Sequence, residues 1–167
     1  LVDVAKRVRD RSATLHVMGL LGDGGVHAHT DHILAVVELA RRSGVPRVLV
    51  HAFTDGRDTP PDSGLGFMDE LTEGLDRIGL GQVATVCGRY WAMDRDRRWP
   101  RTERAWKAIA EGVGETARTA SAAIEQSYAA GVTDEFIDPT VIVDDDGKPI
   151  GRLADGDGVV MANFRAD

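Results

Sequence analysis

Three segments of the chain place glycine, histidine, arginine and aspartate close together. The first is Gly22-Asp23-Gly24-Gly25-Val26-His27-Ala28-His29. Glycines let a backbone come close to an anion, and the N-terminus of a following helix favours negative charge. The spacing fits neither the dinucleotide fingerprint nor the P-loop, so a plain strand-to-helix turn is the competing reading. His27, His29 and His32 crowd this stretch beside Asp31. Three imidazoles suggest a metal site, although no matching carboxylate or cysteine set stands out elsewhere. In the alternative, one histidine hydrogen-bonds an anion or hydroxyl while the others cap a helix or face solvent.

The second segment is Thr54-Asp55-Gly56-Arg57-Asp58-Thr59-Pro60-Pro61. Arg57 is suited to clamping an anion, and Asp58 to accepting a proton or hydrogen bond from a hydroxyl. The two also tend to pair with each other, and an exposed pair is worth little. The third, Gly88 to Trp99, holds four arginines and three aromatics in twelve residues. Such a run can mark nucleic-acid binding, but Asp94 and Asp96 interrupt it. A small polyanion held by Arg89 and Arg95 fits better, with Arg97 and Arg98 left to the surface. A fourth stretch, Asn163-Phe164-Arg165-Ala166-Asp167, places Arg165 just after a predicted strand. Cys87 ends an apolar run and reads as a buried structural thiol. There is no Gly-x-Ser-x-Gly elbow, and no convincing covalent nucleophile.

These segments need a scaffold. Residues 1–11 read as a helix. Thr14 to Leu20, Val48 to Phe53 and Gln82 to Cys87 are short apolar runs suited to buried strands. Between them, helices are predicted from Thr30 or Asp31 to Arg42, stopped by Gly44 and Pro46, and from an Asp62 cap through Ile78. Strand–helix–strand–helix–strand with short connections implies a parallel sheet covered on both faces. The second half reads as helices over Thr102–Val113 and Thr119–Ala130, a hairpin through Val141–Pro149 and a strand over Val159–Phe164. The expectation is one domain over residues 1–167, a three-layer α/β/α fold with a mostly parallel, possibly mixed sheet. In such sheets ligands bind beyond the C-terminal strand ends, where the first three polar segments fall.

Composition narrows the function classes. The 167 residues are 43% hydrophobic and 28% charged, enough for a real core. Net charge is −7, which opposes global attraction to nucleic acid or anionic lipid. No apolar run approaches the roughly 18 residues of a membrane helix, so neither nucleic acid nor membrane is an expected partner. One cysteine precludes an internal disulfide and points to a reducing cytoplasm. Of the 20 basic residues only Lys6, Lys107 and Lys148 are lysines. Arginine suits planar, bidentate binding of carboxylate and phosphate.

Five phrases, LLGDGGVHAHTDH, HAFTDGRDTPP, GRYWAMDRDRRW, GVTDEFIDPTVI and DGDGVVMANFRAD, run in order from about Gly19 to the last residue. Together they closely resemble the cofactor-independent phosphoglycerate mutases, which need no 2,3-bisphosphoglycerate. The resemblance implies the substrate-binding domain that this family inserts into an alkaline-phosphatase-like domain. That larger domain, absent from this chain, carries a serine nucleophile and two manganese-type ions. The implied reaction interconverts 3-phosphoglycerate and 2-phosphoglycerate in glycolysis and gluconeogenesis, through a phosphoserine. The implied substrate contacts are His27, Arg57, Asp58, Arg89, Arg95 and Arg165. Asp58 is the implied acid/base for the glycerate hydroxyls, with His27 assisting, and no metal ligand is implied in this chain. Gly22 and Ala28 stand where the family often has serine, and Pro100 where an acidic residue is common. Rival readings are a noncatalytic anion-binding module and a histidine-metal hydrolase on His27, His29 and His32. The chain by itself is expected to be inactive.

Overall fold

The computed structural model describes residues 1–165. The elements in order are α1 (Val2–Asp10), β1 (Thr14–Leu20), α2 (Thr30–Arg42), β2 (Arg47–Thr54), α3 (Gly64–Ile78) and β3 (Gln82–Gly88). Then come α4 (Arg89–Ala92), α5 (Trp99–Ala110), β4 (Glu115–Ala117), α6 (Ala120–Ala129), a 3-10 turn (Asp134–Phe136), β5 (Thr140–Ile142) and β6 (Gly158–Met161). The six strands form one sheet in the order β4-β5-β3-β2-β1-β6. β6, β1, β2 and β3 are parallel, whereas β5 meets β3 antiparallel and pairs with β4 in parallel. The sheet is therefore mixed but mostly parallel.

Alternation along the strands divides the core. Val17, Val50 and Val86 face α1, α2, α3 and α6, meeting Ala5, Val8, Ile33, Val37, Met68, Leu71 and Ile124. Leu20, Phe53 and Cys87 lie on the other face with Ala105 and Ile109 of α5. The layers are those expected, but α2 and α3 share one face rather than covering one face each. Strand order 3-2-1 advances in one direction, so two right-handed crossovers fall on the same side. α5 closes the opposite side.

Several local expectations are corrected. α2 is capped by His29, whose Nδ1 accepts the Asp31 N–H at 3.2 Å, rather than by Thr30 or Asp31. α3 takes Ser63, not Asp62, at its N-cap, and the buried Asp134 carboxylate accepts the Gly64 N–H at 2.7 Å. α5 begins at Trp99 with Pro100 in its first turn, where proline's missing N–H costs nothing. The predicted strand Val159–Phe164 stops at Met161. Beyond it the Asn163 side chain accepts the Leu20 N–H (3.0 Å), so a side chain replaces the ladder. β4 was not expected; three residues with two exposed carry little periodicity. The hairpin is present as a Val143–Pro149 bridge around Asp144 to Lys148.

On the α5 side of the sheet a buried polar chain crosses three strands. His16 Nε2 lies 3.2 Å from Asp157, His16 Nδ1 lies 2.8 Å from His51 Nε2, and His51 Nδ1 lies 2.9 Å from the Thr85 hydroxyl. Asp157 cannot donate when ionised, so one proton order satisfies all three contacts with both rings neutral. The Thr85 hydroxyl donates to His51, His51 to His16 and His16 to Asp157. Burial lowers the pKa of His16, and burial followed by the charge of His16 lowers that of His51 to about 3. Both imidazoles titrate at ~6.5 in an unfolded chain. Their contribution to stability is thus full above that value and fades as pH falls through it towards the folded values. Urea unfolding is expected to show a loss on the order of a few kcal/mol between pH 7 and 5, before most carboxylates protonate. A flat profile there, or one unchanged by His51→Gln, contradicts this.

Candidate active site

The C-terminal ends of the four parallel strands lie on one side of the sheet, and each delivers a polar segment there. β1 runs into Leu21–His29, β2 into Asp55–Pro61, β3 directly into α4, and β6 into Ala162–Arg165. Glycines allow these segments to approach. A Cβ on Gly24 would lie 3.0 Å from the Asp58 carbonyl oxygen, and one on Gly88 would collide with the Glu135 carbonyl. Gly88 also donates its N–H to Ile137 (2.8 Å), locking the 3-10 turn beside the start of α4.

Arg89 is the hub. It is the first residue of α4 and only 6% exposed. Its Nη1 donates to Asp55 Oδ1 and Asp58 Oδ2, both at 2.7 Å, and its Nη2 donates to His27 Nε2 at 3.2 Å. Guanidinium has donors only, so His27 Nε2 accepts in this arrangement. His27 Nε2 stands 3.7 Å from Asp58 Oδ2. The hydrogen bond from Arg89 holds the Asp58 carboxyl below its ordinary range, aided by the charges of Arg89 and Arg57 and opposed by burial. Asp58 keeps a side chain 24% exposed. It is ionised at neutral pH yet reachable.

A cleft of about 260 Å³ opens beside this cluster, lined by Arg57, Arg89, Tyr90, Arg95, Arg101 and Glu135 among others. Arg57 and Arg95 are exposed at it. Arg165 is exposed, on a segment fastened to the site by the Phe164 N–H donating to the His27 carbonyl at 2.9 Å. The structure thus joins His27, Asp58 and Arg89 by direct contact. It sets Arg57 and Arg95 around the same cleft as Arg89, and brings the backbone before Arg165 against His27. The motif's last two residues, 166–167, lie outside the described residues.

The other candidates disperse. His29 caps α2, and His32 packs edge-on against Phe164 with ring centroids 5.7 Å apart. Among the described residues no three His, Cys, Asp or Glu side chains are placed to hold a metal ion. The site's two carboxylates turn instead onto Arg89. Cys87 is buried, and burial drives its thiol pKa far up, as a structural thiol requires. Arg101 lies 3.7 Å over the Tyr90 ring and pairs with Asp94 at 3.3 Å, while Arg104 covers Trp91. Two arginines just beyond the arginine-rich run therefore brace its aromatics and Asp94. Sequence reading missed Asp55, Tyr90, Arg101 and Glu135. Only Asp55 carried a signal, as the residue between a buried strand and the Gly56 turn.

The family described as BPG-independent PGAM N-terminus matches residues 1–167. This chain belongs to that family. A 2,3-bisphosphoglycerate-independent phosphoglycerate mutase of Thermomicrobium roseum is 61% identical over 161 residues, covering 96% of this chain and 31% of that protein. One from Chloroflexus aurantiacus is 54% identical over the whole chain, again 31% of its own length. A crystal structure of Leishmania mexicana phosphoglycerate mutase at low cobalt concentration superposes with a TM-score of 0.93. It is 37% identical and covers 98% of this chain and 31% of that one. The chain spans about a third of the length of these relatives. Three of the five sequence phrases line the cleft, through Arg57, through Arg89 to Asp96, and through Glu135. Among the described residues no helix is long and apolar enough to cross a membrane.

Proposed function

We propose that this chain is the substrate-binding part of an isomerase that interconverts 3-phosphoglycerate and 2-phosphoglycerate without 2,3-bisphosphoglycerate. Phosphoryl transfer passes through a phosphoserine on the phosphatase-like remainder of the same polypeptide, in the cytoplasm. The observation that carries this reading is Arg89 held between Asp55, Asp58 and His27 at the edge of a cleft bearing further exposed arginines. A phosphoglycerate has a carboxylate and a phosphate, and arginine forks match both. Arg57, Arg95 and Arg165 supply further exposed guanidinium groups. Arg89 commits three of its five N–H donors to protein partners and fixes the geometry.

In the first half-reaction the serine oxygen bonds to phosphorus and the phosphorus–oxygen bond to glycerate breaks. The proton released by the serine hydroxyl passes to the departing oxygen, so Asp58 stays ionised through this half. Glycerate then reorients while the arginines retain its carboxylate. In the second half-reaction the Asp58 carboxylate takes the proton of the other hydroxyl as that oxygen attacks phosphoserine, and passes it to the leaving serine oxygen. Asp58 ends in its starting form, so protons balance. His27 sits close enough to Asp58 to support this exchange. The divalent ions of the resemblance belong with the remainder, because the residues here do not fit a metal ion.

The test compares two proteins. The full-length polypeptide is expected to interconvert the two phosphoglycerates with no added 2,3-bisphosphoglycerate. The 167-residue chain is expected to show no turnover, with or without manganese. Inactivity of the full-length protein, or robust turnover by a contaminant-free 167-residue chain, overturns the assignment.

A further inference from the structure

We propose that Asp55, which contacts the site only through other residues, is a positioning residue that sets how strongly Arg89 holds the proposed acid/base Asp58. This rests on the phosphoglycerate reading above. Asp55 directly follows β2 and is 4% exposed. Its Oδ1 accepts three hydrogen bonds: from Arg89 Nη1 at 2.7 Å, and from the backbone N–H groups of Arg57 and Asp58 at 3.1 Å each. One oxygen therefore fixes both the guanidinium and the turn that carries Asp58. The Thr59 hydroxyl accepts the Gly56 N–H at 3.3 Å, completing that turn.

Asp55 and Asp58 share a single nitrogen, Arg89 Nη1. Sharing divides the attraction of the guanidinium, so Asp58 is ionised yet still basic enough to take a proton. Without the Asp55 charge, Asp58 alone would neutralise Arg89. It would be drawn deeper, become a weaker base and move away from the substrate hydroxyl. The charged or titratable groups facing Asp58 are Arg89 on α4, His27 on the β1–α2 segment, and Arg57 and Asp55 on its own loop.

Asp55→Asn separates the two duties. The amide oxygen still accepts the two backbone N–H groups, but the negative charge is gone. In the full-length enzyme, kcat is expected to fall about 10- to 100-fold, the scale of one charge-assisted hydrogen bond. KM should change much less, and the acidic limb of the kcat–pH profile should move to lower pH. A purely structural role would lower the melting temperature and leave that limb in place. If Asp55→Asn does not fold, Asp55→Glu carries the test. It keeps the charge but displaces the turn, and is expected to keep the limb while losing kcat. An active wild type with unchanged kcat and unchanged limb in the folded variant overturns this inference alone. A wild type without mutase activity overturns the reading beneath it as well.

Discussion

Asp58→Asn in the full-length protein is expected to lower kcat by about 10²–10⁴-fold, the usual worth of general acid/base assistance. KM for 3-phosphoglycerate should stay within a few-fold of wild type, on the ~1 kcal/mol scale of a single neutral hydrogen bond. The reason for the split lies in Arg89. It loses one carboxylate partner but keeps Asp55 at 2.7 Å, so the hub stays anchored and the cleft keeps its shape. Asn preserves the size of Asp58 and offers its amide oxygen to Arg89, yet it accepts no proton at neutral pH. Steady-state kinetics on the variant decide the matter. A wild-type turnover number would make Asp58 a positioning residue and move proton transfer to His27.

Arg89→Ala should act on stability as well as on activity. Removing one partner of a buried ion pair leaves uncompensated charge and typically costs about 3–5 kcal/mol. The lower end applies, because Asp58 is partly solvated whereas Asp55 is not. The variant also loses the group that lowers the Asp58 pKa. In wild type that lowered value adds stability above the unfolded carboxyl pKa, and the gain is lost as pH falls through the folded value. In the variant the two carboxylates face each other without a cation, so repulsion replaces the gain. The deficit should therefore be large at pH 7, ease towards pH 4 as protonation relieves the repulsion, and vanish only below the folded Asp58 value. Urea unfolding of both proteins at the two pH values measures it. An equal deficit at both would show that Arg89 contributes packing rather than charge. In kinetics the same variant should raise KM and depress kcat together, since it disturbs the cleft and the orientation of Asp58.

These effects rest on residues that differ in how far the sequence discloses them. His27, Arg57, Asp58, Arg89 and Arg95 were legible because their types match anion chemistry and each follows a predicted strand. The first three strands were legible because their apolar runs are short and punctuated by Gly, Asp and Pro. β4 was not, since three residues with two exposed give no period. The overlong strand at Val159 was misjudged because hydropathy continues past Met161, whereas the pairing is ended by the Asn163 side chain.

The sequence by itself determined the α/β class, the family and the residue types of the proposed anion site. Local pattern and motif order survive without any knowledge of packing. Tertiary structure alone decided which of those residues are partners. A charged side chain's role depends on what lies opposite it, and opposition across strands is set by register and crossover hand. That is why Arg89 emerged as a buried hub rather than one arginine among four. It is also why Asp55 entered the site, and why His29 and His32 left it. The same holds for the His16–His51 chain, whose members are 35 residues apart in sequence and 2.8 Å apart across the sheet.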